Sequence, residues 1–365
     1  MKQVIEDMKN GKVRIVDLPV PQCGSNELLI QNRTSIISPG TEKLLIEMGK
    51  KSIAGKAMAR PDLIRLAYQK AKREGFISVF REALARLDEP MPLGYSAAGV
   101  VIEAGRNVTG FAKGDYVAYA GSAIANHAEY NIVPPDLCIK IPLRDNNPIS
   151  FDEASFIMLG GIALQGFREA QLSFGENVTV IGLGLIGLLT VQIAKAYGCK
   201  VFGIDVSKQK IEKAKQLGCD YTFIVGKDEI ESSIQNLTNG FGTDAVIITA
   251  ASSDNKPIVL AETIARQRGR IVLVGMCEIK LTRKAFWDKE LSFTVSKANG
   301  PGLGVKINPT PLTPDLYRWT EKRNLEEFLR LISSGAINTK TLITHRYSID
   351  NAVKAYEMIK KKNHI

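Results

Sequence analysis

Asn177-Val-Thr-Val-Ile-Gly182-Leu-Gly-Leu-Ile-Gly187 decides how this chain folds. Val178, Val180 and Ile181 form a short apolar run of the kind a buried strand needs, and Leu188 to Tyr197 continues in an apolar helical pattern. Between them, Gly182, Gly184 and Gly187 have the spacing of a turn that cradles a dinucleotide pyrophosphate. Gly182 is expected to make the turn, Gly184 to let the phosphates approach the backbone, and Gly187 to let the helix pack closely on its strand. Leu183, Leu185 and Ile186 complete the loop, whose unpaired N–H groups at the helix start favour an anion.

The next strand decides what that turn binds. Lys200 to Ile204 is a second apolar run and ends in Asp205, about 20 residues after the glycines, where an acid bonds a ribose 2′-hydroxyl. The acid favours NAD over NADP. Lys208 and Lys210 are near enough in sequence to recruit a 2′-phosphate, but no arginine directly follows Asp205. Beyond it the alternation continues: helix 208–217, strand 221–225, helix 228–237, strand 244–250, helix 256–267, strand 270–275 and strand 290–296. That order predicts a parallel sheet covered on both faces. The nicotinamide is expected beyond the strand ends, near Ala250, Val274 and Gly275.

Upstream of the glycine turn the character changes. Residues 1–45 alternate apolar and polar over short runs, and strands recur from 90 to 142, punctuated by Gly105, Gly110 and Gly114. A helix at 152–170 leads into the turn. Eight basic residues and one acid lie between Lys50 and Arg73, within an expected helical insertion at about 50–90. This insertion reads either as a solvated hairpin, or as a basic cover over an anionic substrate or a docking face for a partner domain. From about Lys297 the pattern breaks into a Gly- and Pro-rich loop, followed by helices at 324–333 and 350–359, with His345 in an expected strand. Residues 1–150 and 297–365 therefore read as one domain and 151–296 as the other.

With 365 residues, 45% of them hydrophobic and 24% charged, the chain has the composition of a soluble globular protein of two domains. Its first residues lack a signal-peptide core and no apolar run is long enough to span a membrane, so a cytoplasmic location is expected. Cys23, Cys138, Cys199, Cys219 and Cys277 are dispersed, without the spacing of a disulfide framework or thiolate cluster. The net charge of +10 could attract anions, but no nucleic-acid motif accompanies it.

A β-rich domain, an inserted βα dinucleotide domain and a return to the first domain resemble the medium-chain dehydrogenase/reductase superfamily over essentially the whole chain. The resemblance implies a GroES-like catalytic domain beside a Rossmann doubly wound sheet. More narrowly, Leu93-Gly-Tyr-Ser96, Asn126-His-Ala-Glu129, the glycine turn and Arg318-Trp-Thr-Glu-Lys-Arg-Asn324 are similar to the dehydrogenase half of bacterial bi-domain oxidoreductases found with surface-polysaccharide genes. There the other half is a Gfo/Idh/MocA-type sugar oxidoreductase. This chain carries one dinucleotide fingerprint and stops at Lys360-Lys-Lys-Asn-His-Ile365, so it is expected to be one part of a truncated or split bi-domain protein. A partner domain of that type, and a homodimer formed along strand 290–296, are further expectations.

The chain departs from zinc-dependent relatives at every ligand. Ser38, Tyr95 and about Met158 stand where the resemblance places Cys, His and Glu or Cys, and the structural zinc lobe is missing. A hydroxyl, a phenol and a thioether are not the donors a catalytic zinc needs, so no metal is expected. Thr41, matching the family's proton-relay hydroxyl, Glu42, Tyr95 and His127 are the candidates for acid–base work. Arg318 and Arg323 read either as a clamp on an anionic substrate or as surface ion-pair residues. The expected reaction is zinc-independent hydride transfer between NAD(H) and a hydroxyl or ketone of a sugar-like substrate, either free or nucleotide-linked. Two alternatives stay open: reduction of an activated C=C bond, as in enoyl or quinone reductases, and a non-catalytic NAD-binding subunit.

Overall fold

A computed structural model describes residues 1–7, 10–40, 42, 90–302 and 317–360. Thr41, nearly all of the expected helical insertion and residues 303–316 lie outside the described residues. The chain divides into two compact units. The first comprises Met1–Asp115, Ala120–Val133 and His345–His364, and the second comprises Tyr116–Tyr119 and Pro134–Thr344.

In the first unit, β1 (Lys2–Asp7) pairs antiparallel with β2 (Lys12–Asp17). β3 (Leu28–Ser35) follows, then the short β4 (Met91–Pro92), which joins the other side of β1, and the longer β5 (Ser96–Ala104). β6 (Tyr116–Ala120), all but its last residue in the second unit, precedes β7 (Tyr130–Val133), and β3 lies between β5 and β7 with antiparallel pairing on both sides. Val4, Val13 and Leu93 form a core with Ala352, Tyr356 and Ile359 of the C-terminal helix. Those three helical residues fall at i, i+4 and i+7, one stripe of a helix.

In the second unit β8 (Cys138–Lys140) pairs with β6, and the hairpin β9 (Leu143–Arg144) and β10 (Asn147–Pro148) precedes the helices. Ser150 forms a capping box with Glu153 at the start of α1 (Phe151–Ala154), and α2 (Ile157–Glu169) follows after a break, so the helix expected at 152–170 is two pieces. The alternating segments are then β11 (Asn177–Ile181), α3 (Leu185–Ala196), β12 (Lys200–Asp205), α4 (Lys208–Gln216), β13 (Tyr221–Ile224) and α5 (Ile230–Leu237). They continue with β14 (Thr243–Ile248), α6 (Lys256–Ile264), β15 (Ala265–Leu273), α7 (Arg283–Lys289) and β16 (Ser292–Val295). The sheet order is β13-β12-β11-β14-β15-β16, all parallel. The direction of winding reverses between β11 and β14, where a doubly wound sheet opens its ligand crevice.

Three expectations need correction. The helix expected at 256–267 ends at Ile264, because Lys289 donates from Nζ to the carbonyls of Glu262, Thr263 and Ala265 at 2.8, 2.7 and 2.9 Å and caps it. Residues 343–348, including His345, form no strand and connect two 3₁₀ turns. Residues 134–150, 297–302 and 317–344, read from the sequence as part of the first domain, group with the second unit. There α8 (Glu321–Ser333), capped by Thr320, packs on α2: a Cβ at Gly160 would strike the Phe328 ring, and one at Gly161 would lie 2.9 Å from Leu325. The last helix is α9 (Ala352–Lys360). No helix among the described residues is long and apolar enough to cross a membrane.

Two core cysteines of the second unit give a pH test. Burial, with smaller help from the Glu176 and Asp220 charges, pushes the Cys199 thiol up to about 11 and the Cys219 thiol up to about 12, from an ordinary 9.0. Both stay protonated in the fold where an unfolded thiol ionises. Their contribution is complete below pH 9.0 and is lost as pH rises through 11 to 12. Urea unfolding should show stability falling by roughly 2 kcal/mol or more between about pH 8 and about pH 10.5. The Cys199→Ala/Cys219→Ala double variant should show a shallower fall.

Candidate functional site

Each unit carries a separate constellation. In the second, Gly182 has φ +96° and turns the chain immediately after β11, and Gly184 is the residue from which α3 starts. The turn is locked from below. Gly182 N–H donates to Ile204 O at 2.8 Å, Thr249 Oγ1 donates to Gly182 O, and a Cβ on Gly182 would lie 2.5 Å from Ala250 N. At Gly187 a Cβ would collide with Gly182 O and lie 2.8 Å from Thr249 Oγ1, whereas one at Gly184 would meet nothing within 4 Å. Open space at the middle glycine, beside the first N–H groups of a 12-residue helix, is the shape a pyrophosphate requires.

Asp205 ends the neighbouring strand and is buried. Its carboxylate accepts from Leu183 N–H at 2.7 Å and from Ser207 N–H at 2.8 Å, and Lys210 Nζ is 3.9 Å away. Asp205 thus ties the glycine loop to the β12 end, where an acceptor for a ribose hydroxyl is needed. Ala250 follows β14, and Val274 and Gly275 follow β15. Their backbones are knitted by Gly275 N–H to Ile248 O at 2.8 Å and Met276 N–H to Ala250 O at 3.1 Å. All the expected coenzyme residues therefore gather along the C-terminal edge of one parallel sheet. They fit a nicotinamide dinucleotide: Gly182–Gly187 would hold the pyrophosphate, Asp205 the ribose, and Ala250, Val274 and Gly275 would lie beside the nicotinamide.

In the first unit, Leu93-Gly-Tyr-Ser96 and Asn126-His-Ala-Glu129 lie side by side. His127 N–H donates to Leu93 O at 2.7 Å and His127 O accepts from Val4 N–H at 2.8 Å. Gly94, at φ +105°, permits this because a Cβ there would lie 2.6 Å from His127 N. The imidazole is held at both nitrogens: Nδ1 is 2.7 Å from Ser35 Oγ, and Nε2 is 3.3 Å from Glu42 Oε1. Glu42 is 0% exposed, and Tyr356 OH donates to its other oxygen. Burial, reinforced by the Glu42 charge, holds the Tyr356 phenol well above the ordinary tyrosine range, so it acts as a donor. Since a carboxylate only accepts, Nε2 carries the proton shared with Glu42; in the neutral imidazole Nδ1 then accepts from Ser35 Oγ–H.

Of the expected acid–base residues, Glu42 and His127 are in direct contact. Tyr95 is buried, and Thr41 lies outside the described residues. Ser35 and Tyr356 were not anticipated. A signal existed for Tyr356: it sits in the buried stripe of a terminal amphipathic helix, where a phenol must find a partner for its hydroxyl. Ser35 gave none, being one hydroxyl among several in a turn-rich stretch.

The donor set does not suit zinc. Ser38 and Tyr95 are both buried and offer a hydroxyl and a phenol, and among the described residues no three His, Cys, Asp or Glu side chains are grouped to hold a metal ion. The buried His127–Glu42 pair is hydrogen-bonded to Ser35, to Tyr356 and within itself.

Comparison with known proteins agrees with the fold. Residues 63–143 match the family model of the alcohol dehydrogenase GroES-like domain, and residues 186–301 match that of the zinc-binding dehydrogenase. Sorbitol dehydrogenase of Mus musculus is 25% identical, with 96% of this chain and 90% of the relative covered. A probable D-xylulose reductase A of Neosartorya fischeri is 27% identical over 74% of this chain and 78% of its own. Among solved structures, galactitol-1-phosphate dehydrogenase from Escherichia coli superposes with a TM-score of 0.74 at 22% identity, over 100% of this chain and 97% of that one.

Proposed function

Because the chain belongs to the medium-chain dehydrogenase/reductase superfamily, in its zinc-type alcohol dehydrogenase-like class, we propose that it oxidises a secondary hydroxyl of a polyol or sugar-like substrate without zinc. NAD, bound along the sheet edge, supplies the hydride acceptor. The proton leaves by a relay of this chain's own side chains. Ser35 passes its hydroxyl proton to His127 Nδ1 and takes the proton of the substrate hydroxyl in turn, while buried Glu42 stabilises the imidazolium that forms. Tyr356 holds Glu42 in place. Hydride and proton together amount to the two-electron oxidation of an alcohol to a ketone, and the reverse sequence reduces the ketone.

The observation that carries this reading is the continuous chain Ser35–His127–Glu42–Tyr356, with contacts of 2.7 and 3.3 Å on the imidazole. It supplies a base oriented by a carboxylate where zinc relatives would use a metal to acidify the alcohol. The substrate class is supported by the names of the relatives, which act on sorbitol, D-xylulose and galactitol 1-phosphate. NADH formation across a panel of free polyols, sugar phosphates, nucleotide sugars and simple alcohols tests it. Turnover is expected with a polyhydroxylated member and NAD, at least tenfold faster than with NADP. Activity confined to enones with NADPH would instead establish C=C reduction.

A second copy is proposed to pair along β16. That strand ends the sheet, and its Val295 is exposed, a combination that invites edge-to-edge pairing. Sedimentation should give twice the 40.0 kDa chain mass, and Thr294→Pro should yield a monomer; a monomeric native chain would refute the pairing.

A further inference from the structure

The segment Arg318-Trp-Thr-Glu-Lys-Arg-Asn324 plays no part in the reaction above, yet the second unit builds a defined cluster from it. The Arg168 guanidinium of α2 stacks on the Trp319 ring with its carbon 3.2 Å from the ring centroid, and the Arg323 guanidinium stacks on the same side chain at 3.9 Å. Arg323 Nη1 donates to Arg318 O at 2.6 Å, which brings the third arginine's backbone alongside.

Beneath these cations lies a buried amide network. Asn324, which is 0% exposed, accepts from Arg168 Nε at 2.8 Å and donates through Nδ2 to Gln165 Oε1 and Asn299 O, both at 2.9 Å. Asn299 Nδ2 donates to Glu321 Oε1 at 2.8 Å. Gly300 packs against the network, since a Cβ there would lie 2.8 Å from Gln165 Oε1. One edge of Arg168 is therefore fixed from below and one face by the indole, while its two terminal nitrogens remain.

Among the described residues, Arg168, Arg318 and Arg323 form no ion pair. Glu327, whose charge reaches Arg168, is held through both oxygens by Arg330 at 2.8 and 2.8 Å. Burial, aggravated by Arg323 and Arg318, lowers Arg168 to about 10 from 12.5. The surface ion-pair role that Arg318 and Arg323 could have had is thus absent among the described residues. Arginine frequently grips a phosphoryl group through two parallel N–H···O bonds, and stacking on an aromatic face holds its planar fork in place.

We propose that Arg168, Arg318 and Arg323, arranged on Trp319, bind the phosphoryl group of a small-molecule ligand at a site separate from the coenzyme's pyrophosphate cradle. The cradle uses backbone N–H groups at Gly182–Gly187; this cluster uses side chains at the junction of α2 and α8. The inference does not depend on the hydride-transfer reading, since it concerns binding alone.

The chain has two tryptophans, Trp287 and Trp319, and Trp287 is 75% exposed, so Trp287→Phe leaves a single reporter inside the cluster. Inorganic pyrophosphate, titrated at constant ionic strength with NAD already saturating, should change the Trp319 emission saturably. The half-saturating concentration should rise at least tenfold in Arg318→Gln and in Arg323→Gln, both at exposed positions. Urea midpoints of these variants should match the parent. Glucose 6-phosphate and UDP-glucose as probes distinguish a phosphate monoester from a diphosphate as the natural carrier. No saturable change, a change abolished by saturating NAD, or unaltered binding in both variants would overturn the proposal.

Discussion

Alanine at Gly187 is expected to abolish measurable coenzyme binding and to cost about 3 kcal/mol of stability. The added Cβ would overlap Gly182 O and press on Thr249 Oγ1 at 2.8 Å and Gly182 C at 3.0 Å. None of these can retreat easily. Gly182 is tied by its N–H to Ile204 and by its O to Thr249, and its α-carbon faces Ala250. The helix start must therefore lift away from the strand, taking with it the N–H groups that would receive the phosphates. Alanine at Gly184 separates the two effects. Its φ of −72° suits any residue and a Cβ there meets nothing within 4 Å. The urea midpoint should then correspond to a change under about 0.5 kcal/mol, while NADH affinity by calorimetry falls at least tenfold because the methyl stands in the ligand's space. Equal loss of stability in both variants would contradict this division of labour.

Phenylalanine at Tyr356 should cost about 2–4 kcal/mol although it removes one oxygen atom. The hydroxyl is the donor to one side of a fully buried carboxylate, and without it Glu42 keeps, among the described residues, the 3.3 Å side-chain contact to His127. The pH dependence should change in a defined direction. With the phenol's folded value raised above the ordinary 10.0 by burial and by the Glu42 charge, the folded state keeps its proton where the unfolded state loses it. Stability from this group is complete below about pH 10 and declines above it; Tyr356→Phe should remove that part of the decline. Under the proposed relay kcat should fall roughly tenfold to a hundredfold with KM little changed, since Tyr356 positions Glu42 and touches no substrate. A variant that loses stability but keeps full kcat would assign the cluster to the fold alone.

The glycine turn and the strands after it were legible because their signals are local. An apolar run, a spaced glycine triplet and an acid at the next strand end each follow from short-range sterics, and the structure joins them as expected at Gly182, Gly187 and Asp205. Where the sequence misled, a distant residue intervened. The end of α6 is set by Lys289, 25 positions beyond Ile264, and periodicity within 256–267 cannot register it. The grouping of 317–344 with the second unit depends on Phe328 meeting the bare backbone of Gly160, a contact between helices more than a hundred residues apart. The proposed acid–base cluster was half visible: the residue types of Glu42 and His127 marked them, while Ser35 and Tyr356 acquired meaning only when β3 and α9 brought them to the same imidazole and carboxylate.

Turnover by metal-depleted protein tests the central claim most directly. After exhaustive chelation, with zinc shown by elemental analysis to be far below one atom per chain, NADH formation from NAD and the best polyol of the panel should proceed at the untreated rate, and His127→Ala should reduce it at least a hundredfold. Loss of activity on chelation, restored by one equivalent of Zn²⁺, would contradict the account.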